Sequence, residues 1–329
     1  MLRLRRVRKF PAAVSILALA GLSLVACSTS SPIAACERPD SGAAIADLID
    51  ISGETGAVPE ISVNLPEDAS TGYATEKTVF ADVEPGDGDA LSEMDQIATI
   101  DMAFYDAKGN FVISTAFDGT SQPQTMENWL LQFPGLEDAL TCAQAGTRMV
   151  VGLGAEGVSD EAREQYAMQG FPQDGSLIAV VDVTDVYPRA AWGSPQYNAS
   201  TNMPSVVRGP DGRPGITVPD KSAPDELAVE TLLKGDGKKV ASGDAAVLRY
   251  TGVLWDTGEV FDSAWEQGGA LVMSGEMIEG FSRAIEGQTV GSQVLAVIPP
   301  ELGYGDQGNE SIPADSTLVF VIDIVGIQE

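Results

Sequence analysis

Leu318-Val-Phe-Val-Ile-Asp-Ile-Val325, near the C-terminus, and Leu177-Ile-Ala-Val-Val-Asp-Val-Thr184, in the middle of the chain, share one pattern: apolar residues throughout, with an aspartate at the same place. Short apolar runs rich in β-branched residues predict strands. The likeness continues upstream. Ile278-Glu-Gly-Phe-Ser-Arg-Ala-Ile285, followed by Gly291, answers Phe133-Pro-Gly-Leu-Glu-Asp-Ala-Leu140, followed by Gly146. Phe281, Ala284 and Ile285 stand at i, i+3 and i+4, as do Leu136, Ala139 and Leu140, a spacing that gathers apolar side chains on one face of a short helix. Before that, residues 247–265 predict a strand, a turn at Asp256-Thr257-Gly258 and a second strand, and residues 98–117 predict the same around Ala107-Lys108-Gly109. Each repeat therefore reads as an α+β unit, an antiparallel β-sheet wrapped on one short α-helix.

A chain of 329 residues has room for two such units, each with its own core. It carries 48 acidic against 19 basic residues, so its surface repels a phosphate backbone and nucleic acid is excluded as a partner. Histidine is absent, which removes Ser-His-Asp hydrolysis, Cys-His proteolysis and His-based zinc sites. No metal and no cofactor are expected.

Residues 1–26 open with Arg3, Arg5, Arg6, Arg8 and Lys9 and run into an apolar stretch from Ala12 to Ala26, which reads as a signal peptide. A retained spanning helix is the other reading, for which the stretch is short. Leu24-Val25-Ala26-Cys27 resembles a bacterial lipobox. That resemblance implies cleavage before Cys27, a diacylglycerol on its thiol, and a protein held to the cell membrane at the extracytoplasmic face. Each buried CH₂ of an acyl chain contributes about 0.8 kcal/mol, so two or three chains anchor firmly. Residues 27–44 are small and polar and read as a lipidated flexible tether. Seven prolines fall between Pro188 and Pro224, which makes 191–224 a Pro/Gly-rich linker separating domains at 45–190 and 225–329. Cys36 and Cys142 are the remaining cysteines. A disulfide between them suits an exported protein, and two separate thiols fit two cysteines equally well.

Within 225–329 the residues become specific. Arg249-Tyr250-Thr251-Gly252, Gly258-Glu-Val-Phe261-Asp262-Ser263, Ile278-Glu-Gly-Phe281, Pro299-Pro-Glu-Leu-Gly-Tyr304-Gly305, Ile312-Pro313 and Thr317-Leu-Val-Phe320 follow one another in register. In order and spacing they resemble the signature of the FKBP-type peptidyl-prolyl isomerases. The resemblance implies two FKBP-like domains and an isomerase of X-Pro bonds in the second. It further implies a catalytic set of Tyr250, Phe261, Asp262, Phe281, Tyr304 and Phe320, with Leu271, Met277, Ile278 and Ile312 binding substrate. In the family the backbone N–H at the place of Ile278 and the hydroxyl at that of Tyr304 bind ligand carbonyls, while the Tyr250 hydroxyl bonds the Asp262 carboxylate. Proline-containing exported proteins would be substrates and macrolides would be inhibitors. A non-catalytic binding module or holdase is the competing class. The sequence also departs from the family: Phe281 stands where Trp is more common, the stretch Gly268-Gly-Ala-Leu-Val-Met273 is one residue short, and the loop Asp306 to Ser311 is shortened.

The same alignment places Asp101 at Tyr250, Val112 and Ile113 at Phe261 and Asp262, Leu136 at Phe281 and Ala179 at Phe320. No tyrosine answers Tyr304. The first repeat is thus expected to be a degenerate FKBP-like domain, keeping the frame without the pocket and serving for binding or spacing.

Overall fold

Both aspartate-bearing runs are central strands, buried on both faces. A computed structural model of the chain describes residues 36–40, 43–54, 56–65, 72–265, 270–273 and 277–328. The expected signal peptide, Cys27 and the expected tether before Cys36 lie outside the described residues.

In the first half a hairpin of β1 (Ile49–Ser52) and β2 (Glu60–Val63) precedes β3 (Val79–Glu84), β4 (Ile97–Tyr105), β5 (Phe111–Ser114) and β6 (Gln124–Thr125). Then come α1 (Met126–Gln132), α2 (Glu137–Leu140), β7 (Thr147–Leu153), α3 (Asp160–Tyr166) and β8 (Leu177–Val186). The sheet runs β3-β7-β8-β4-β5, with β6 paired to the start of β4. In the second half β9 (Ser194–Pro195) and a hairpin of β10 (Ser205–Arg208) and β11 (Pro214–Thr217) precede β12 (Ala228–Lys234), β13 (Ala245–Leu254), β14 (Val260–Ser263) and β15 (Ala270–Met273). α4 (Glu279–Ile285), β16 (Gln293–Ile298) and β17 (Leu318–Gln328) complete it. This sheet runs β9-β12-β16-β17-β13-β14, with β15 paired to the start of β13.

The two sheets match residue for residue. Asp182 lies opposite Asp101 and Arg148, and Asp323 lies opposite Arg249 and Gln293. The ladder between central strands slips at Thr99/Ile100 in one sheet and at Val247/Leu248 in the other, and the hairpin ladders slip at Phe104/Tyr105 and Gly252/Val253. These bulges occupy equivalent places, and a bulge pins register. Gly146 and Gly291, at φ 90° and 91°, each donate at 2.7 Å to the central strand, at Val183 and Ile324. A side chain is strongly disfavoured in that conformation, which explains the glycine seen after both helices.

On one face of each sheet sits the short helix, through Leu136, Ala139 and Leu140 or through Phe281, Ala284 and Ile285, all buried. The other face is covered too. The β1–β2 hairpin packs on Tyr105, Val150, Ile178 and Val180, and Val206 and Ile216 of the β10–β11 hairpin pack on Val253, Leu295, Val319 and Val321. Two-sided burial is the reason that both central runs are apolar without alternation. The segment 191–224, expected to be a linker, therefore forms strands and covers the second sheet. Its prolines limit where it can pair but leave β9 and the β10–β11 hairpin on edges, where proline is tolerated.

Cys36 and Cys142 are bonded, with Cα atoms 5.5 Å apart. Arg38 adds an ion pair to Asp82, so the end of the expected tether is fixed to the first sheet. Cys142 has φ 59°, at the place where the second half has Gly287 at φ 80°. The halves form one unit, Cys36–Glu329. Ile97, Tyr187, Val247 and Val325 make a buried apolar contact between them. Beside it Asp95 of the first half pairs with Arg189 at 2.8 Å and with the buried Arg249 at 3.4 Å.

Each central aspartate is met differently. Arg148 grips Asp182 with two hydrogen bonds of 2.7 Å and donates to the Gly53 and Glu54 carbonyls of the hairpin. Asp323 accepts from Gln293 at 2.7 Å and from the Ala191 N–H at 2.8 Å. Arg148→Met should leave Asp182 buried and uncompensated and lower unfolding free energy by about 3–5 kcal/mol, read from urea denaturation.

Candidate active site

The strand register decides which side chains meet above α4. Alternation along β13 turns Tyr250 toward the helix and Arg249 away from it. β14 supplies Phe261 and Asp262, β17 supplies Phe320 and α4 supplies Phe281. Phe320 is the hub: its ring lies 5.1 Å from Phe281, 5.4 Å from Phe261 and 5.9 Å from Tyr250, each pair edge to face. Tyr250 and Phe281 close the set at 5.6 Å. Edge-to-face contacts align positive ring edges with negative faces, which gives the cluster a defined shape. Phe281 is fully buried and Phe320 is 3 % exposed, so they form the floor, whereas Phe261 and Asp262 are half-buried at the wall.

Gly252 makes this close packing of rings possible. A Cβ there would fall 2.6 Å from the Phe261 ring and 2.8 Å from Phe320. The equivalent residue of the first half is Phe104, whose ring stacks on Phe133 at 4.8 Å.

The polar groups are few. The Tyr250 hydroxyl donates to Asp262 at 2.6 Å. Burial pushes the Tyr250 phenol well above its ordinary value, and the adjoining Asp262 carboxylate raises it further, so the phenol stays protonated as a donor. Tyr304 stands on the turn after Pro300–Leu302 and is 38 % exposed. Ile278 is the N-cap of α4, and among the described residues no backbone carbonyl accepts from its N–H. Asn309 holds the next loop by accepting from the Ile312 N–H at 2.8 Å, which delivers the Ile312 side chain, buried, into the same cluster. Met277 and Ile278 pack on it from the other side, half-buried.

Nine of the ten expected pocket residues thus have described side chains, and eight of them join one polar-edged aromatic cluster with Tyr304 at the neighbouring turn. Leu271 lies on β15 opposite Val247, and its side chain lies outside the described residues. Cys27 also lies outside them.

A sequence pattern described as FKBP-type peptidyl-prolyl cis-trans isomerase matches residues 236–325. An FK506-binding protein of Streptomyces anulatus is 33% identical over 120 residues, which is 35% of this chain and 97% of that protein. The chain belongs to the FKBP-type peptidyl-prolyl cis-trans isomerase family. A probable FK506-binding protein of Corynebacterium glutamicum is 35% identical over 115 residues, 34% of this chain and 97% of that one. Among solved structures, FkpA from Escherichia coli is 26% identical with a TM-score of 0.31, covering 40% of this chain and 53% of that one.

For this FKBP-type chain the register corrects one correspondence. Met102, opposite Val181, takes the place of Tyr250, opposite Ile322; Asp101 takes that of Arg249. A shift of one residue changes the face of a strand, so Asp101 points away from the helix. Val112, Ile113, Leu136 and Ala179 stand where expected. The first half also departs from the expected absence of a pocket. It has a cavity of about 290 Å³ on the corresponding face, lined by Met102, Phe104, Ile113, Trp129 and Phe133. Trp129 was not singled out from sequence, although Thr125 three residues before Asn128 is a helix-capping signal for α1.

Gly252→Ala should compress the aromatic cluster and lower kcat/KM for a proline peptide by on the order of tenfold, with the far-UV circular dichroism of the folded protein retained.

Proposed function

We propose that the second half isomerises X-Pro bonds in proteins folding outside the cytoplasmic membrane, and that the first half is an FKBP-like domain without this activity. The observation that carries the reading is the cluster of Tyr250, Phe261, Phe281 and Phe320 beside the Tyr250–Asp262 hydrogen bond, within the residues that match the family. Rotation about a peptide bond meets a barrier of about 18–20 kcal/mol because twisting destroys amide resonance. The planar amide is the more polar form and the better hydrated. A ring-lined pocket that removes water therefore raises the planar ground state more than the twisted state, and about 1.4 kcal/mol of that difference is tenfold in rate.

Phe281 supplies the floor for the proline ring. The Ile278 N–H, at the start of α4, and the Tyr304 hydroxyl, at the mouth, bind carbonyls that flank the twisting bond. Asp262 is held as an acceptor for Tyr250 and does not act as a base. Met277, Ile312 and Leu271 frame the residue before proline, and macrolides would compete for the same space. Without Tyr250, Asp262 and Gly252, whose places are taken by Met102, Ile113 and Phe104, the first half has no such arrangement.

Lipid on Cys27 would keep the protein at the extracytoplasmic face of the cell membrane. The Cys36–Cys142 disulfide supports an oxidising location.

In a protease-coupled assay the full chain should accelerate cis-trans conversion of a proline tetrapeptide. Phe261→Ala or Tyr304→Ala should lower kcat/KM by roughly ten- to hundredfold while the protein stays folded. Wild-type rates in both would overturn the pocket. The anchor is tested separately: an alkyne fatty acid fed to expressing cells should label the wild-type chain and leave Cys27→Ala unlabelled, and equal labelling would reject it.

A further inference from the structure

Arg249 is buried in the second half, yet among the described residues every hydrogen bond of its guanidinium goes to the first half, to the Asp95 carbonyl and, at 3.4 Å, to the Asp95 carboxylate. Asp323 lies opposite it on β17 but accepts from Gln293 and from the Ala191 N–H. The corresponding residue of the first half, Asp101, is met within its own half, by the hydroxyls of Thr115 at 2.6 Å and Ser121 at 2.5 Å. At this place in the frame the second half depends on the other half, and the first does not. Asp95 is also held firmly. Its neighbours Met94 and Gln96 accept from the Glu127 and Met126 N–H groups at 2.9 and 3.0 Å, which pins the turn to the start of α1. The Gln96 amide accepts from the Ser92 N–H at 2.8 Å and donates to the Tyr187 carbonyl at 3.3 Å.

On its other side the Arg249 guanidinium lies 5.0 Å over the Trp265 ring, a contact that favours the cation. Trp265 follows β14, and the N–H of Ala264 just before it donates to the Tyr250 carbonyl at 3.0 Å. The guanidinium therefore acts on both strands of the hairpin, from its own place on β13 and through Trp265 at the end of β14. That hairpin carries Tyr250, Phe261 and Asp262. Without the Asp95 charge, Arg249 would be a buried cation whose bonded counter-charge is gone, a condition that is relieved by moving toward water. Withdrawal of the guanidinium from Trp265 would shift the wall of the pocket, and a misplacement of about 1 Å is enough to slow a reaction on the order of a hundredfold.

We propose that Asp95 of the first half is a positioning residue for isomerisation in the second, acting through Arg249 to hold the β13–β14 hairpin in place. The first half then serves as a brace that the isomerase requires for its full rate. This rests on the isomerase reading of the second half.

The test is the protease-coupled proline tetrapeptide assay on variants of the full chain. Asp95→Asn keeps the backbone carbonyl and the side-chain shape but removes the charge, and should lower kcat/KM by about three- to tenfold. Asp95→Glu restores the charge and should stay within about twofold of wild type. Arg189→Leu removes the other cation paired with Asp95 at 2.8 Å, and should also stay within about twofold. In Arg249→Met the methionine fills the volume and leaves no cation buried there, so the protein should fold and show the same loss of about three- to tenfold. Adding Asp95→Asn to Arg249→Met should then change the rate by less than about twofold, because the link is already cut. Melting curves establish that each variant is folded, and Arg249→Met with its double variant decides the matter if Asp95→Asn is not. Wild-type rates in Asp95→Asn or in Arg249→Met would overturn the proposal. So would an equal loss in Asp95→Glu or in Arg189→Leu, or additive losses in the double variant. An inactive wild type is a separate result, which would reject the isomerase reading and this proposal with it.

Discussion

A carboxylate buried in the middle of a sheet must be met by donors, and each half of this chain is organised around one. Asp182 and Asp323 are 0 % and 1 % exposed, on central strands that are otherwise apolar. Taking such a charge from water costs several kcal/mol unless the geometry of its partners is good. In the first half the partner is Arg148, whose remaining N–H groups hold the loop of the β1–β2 hairpin. In the second half the N–H of Ala191 and, at 3.8 Å, the guanidinium of Arg208 come from the segment that covers the sheet. Asp323 has its pKa raised by burial, a sign that its donors do not fully replace water. In both halves the polar contact at the centre ties the covering layer to the strands. That layer buries the outer face, and only then are continuous apolar strands compatible with water outside.

With the frame held this way, small changes on the inner face decide what each half can do. Gly252 lets the Phe261 and Phe320 rings close over the strand, and the equivalent residue of the first half is Phe104, which carries a ring of its own there. Tyr250 and Asp262 make a polar edge, and Met102 and Ile113 remove it. The first half has a different cavity on this face, with Trp129 of α1, Phe133 and Tyr166 among its lining residues. Bulges at equivalent places keep the two frames in register while the side chains diverge.

The repeat was legible because burial on both faces writes itself as an apolar run, and because the conformation at Gly146 and Gly291 demands glycine. The aromatic pocket was legible for a different reason: Tyr250, Phe261, Phe281 and Phe320 recur at separations that only the FKBP-type signature explains, since each alone reads as core. What failed to show was governed by contacts distant in sequence. The segment 191–224 has the composition of a linker, and its role as a covering layer depends on Val206 and Ile216 meeting a sheet whose Val319 and Val321 lie more than a hundred positions away. The placement of Asp101 failed by one residue, because the turn between β13 and β14 is one residue longer than that between β4 and β5, with Val253 pairing Val260 where Tyr105 pairs Phe111, and a single slip exchanges the faces. The Trp129 cavity had no signature, since its walls come from three strands and two helices.

β13 joins these features. Tyr250 faces the aromatic cluster, and its neighbour Arg249 faces the other way, to Asp95 of the first half. Arg249 is fully buried, and desolvation presses its pKa downward while Asp95 holds it up. Its guanidinium also lies 5.0 Å over the Trp265 ring, just beyond the strand that carries Phe261 and Asp262. A guanidinium so deeply placed is tolerable only while Asp95 stays at hand, so the contact between halves is a condition for the strand's own burial. The same two consecutive residues therefore fix the polar edge of the aromatic cluster on one face and the first half on the other. A strand cannot move one of these faces without moving the other, which makes the junction between the halves part of the support of the aromatic cluster.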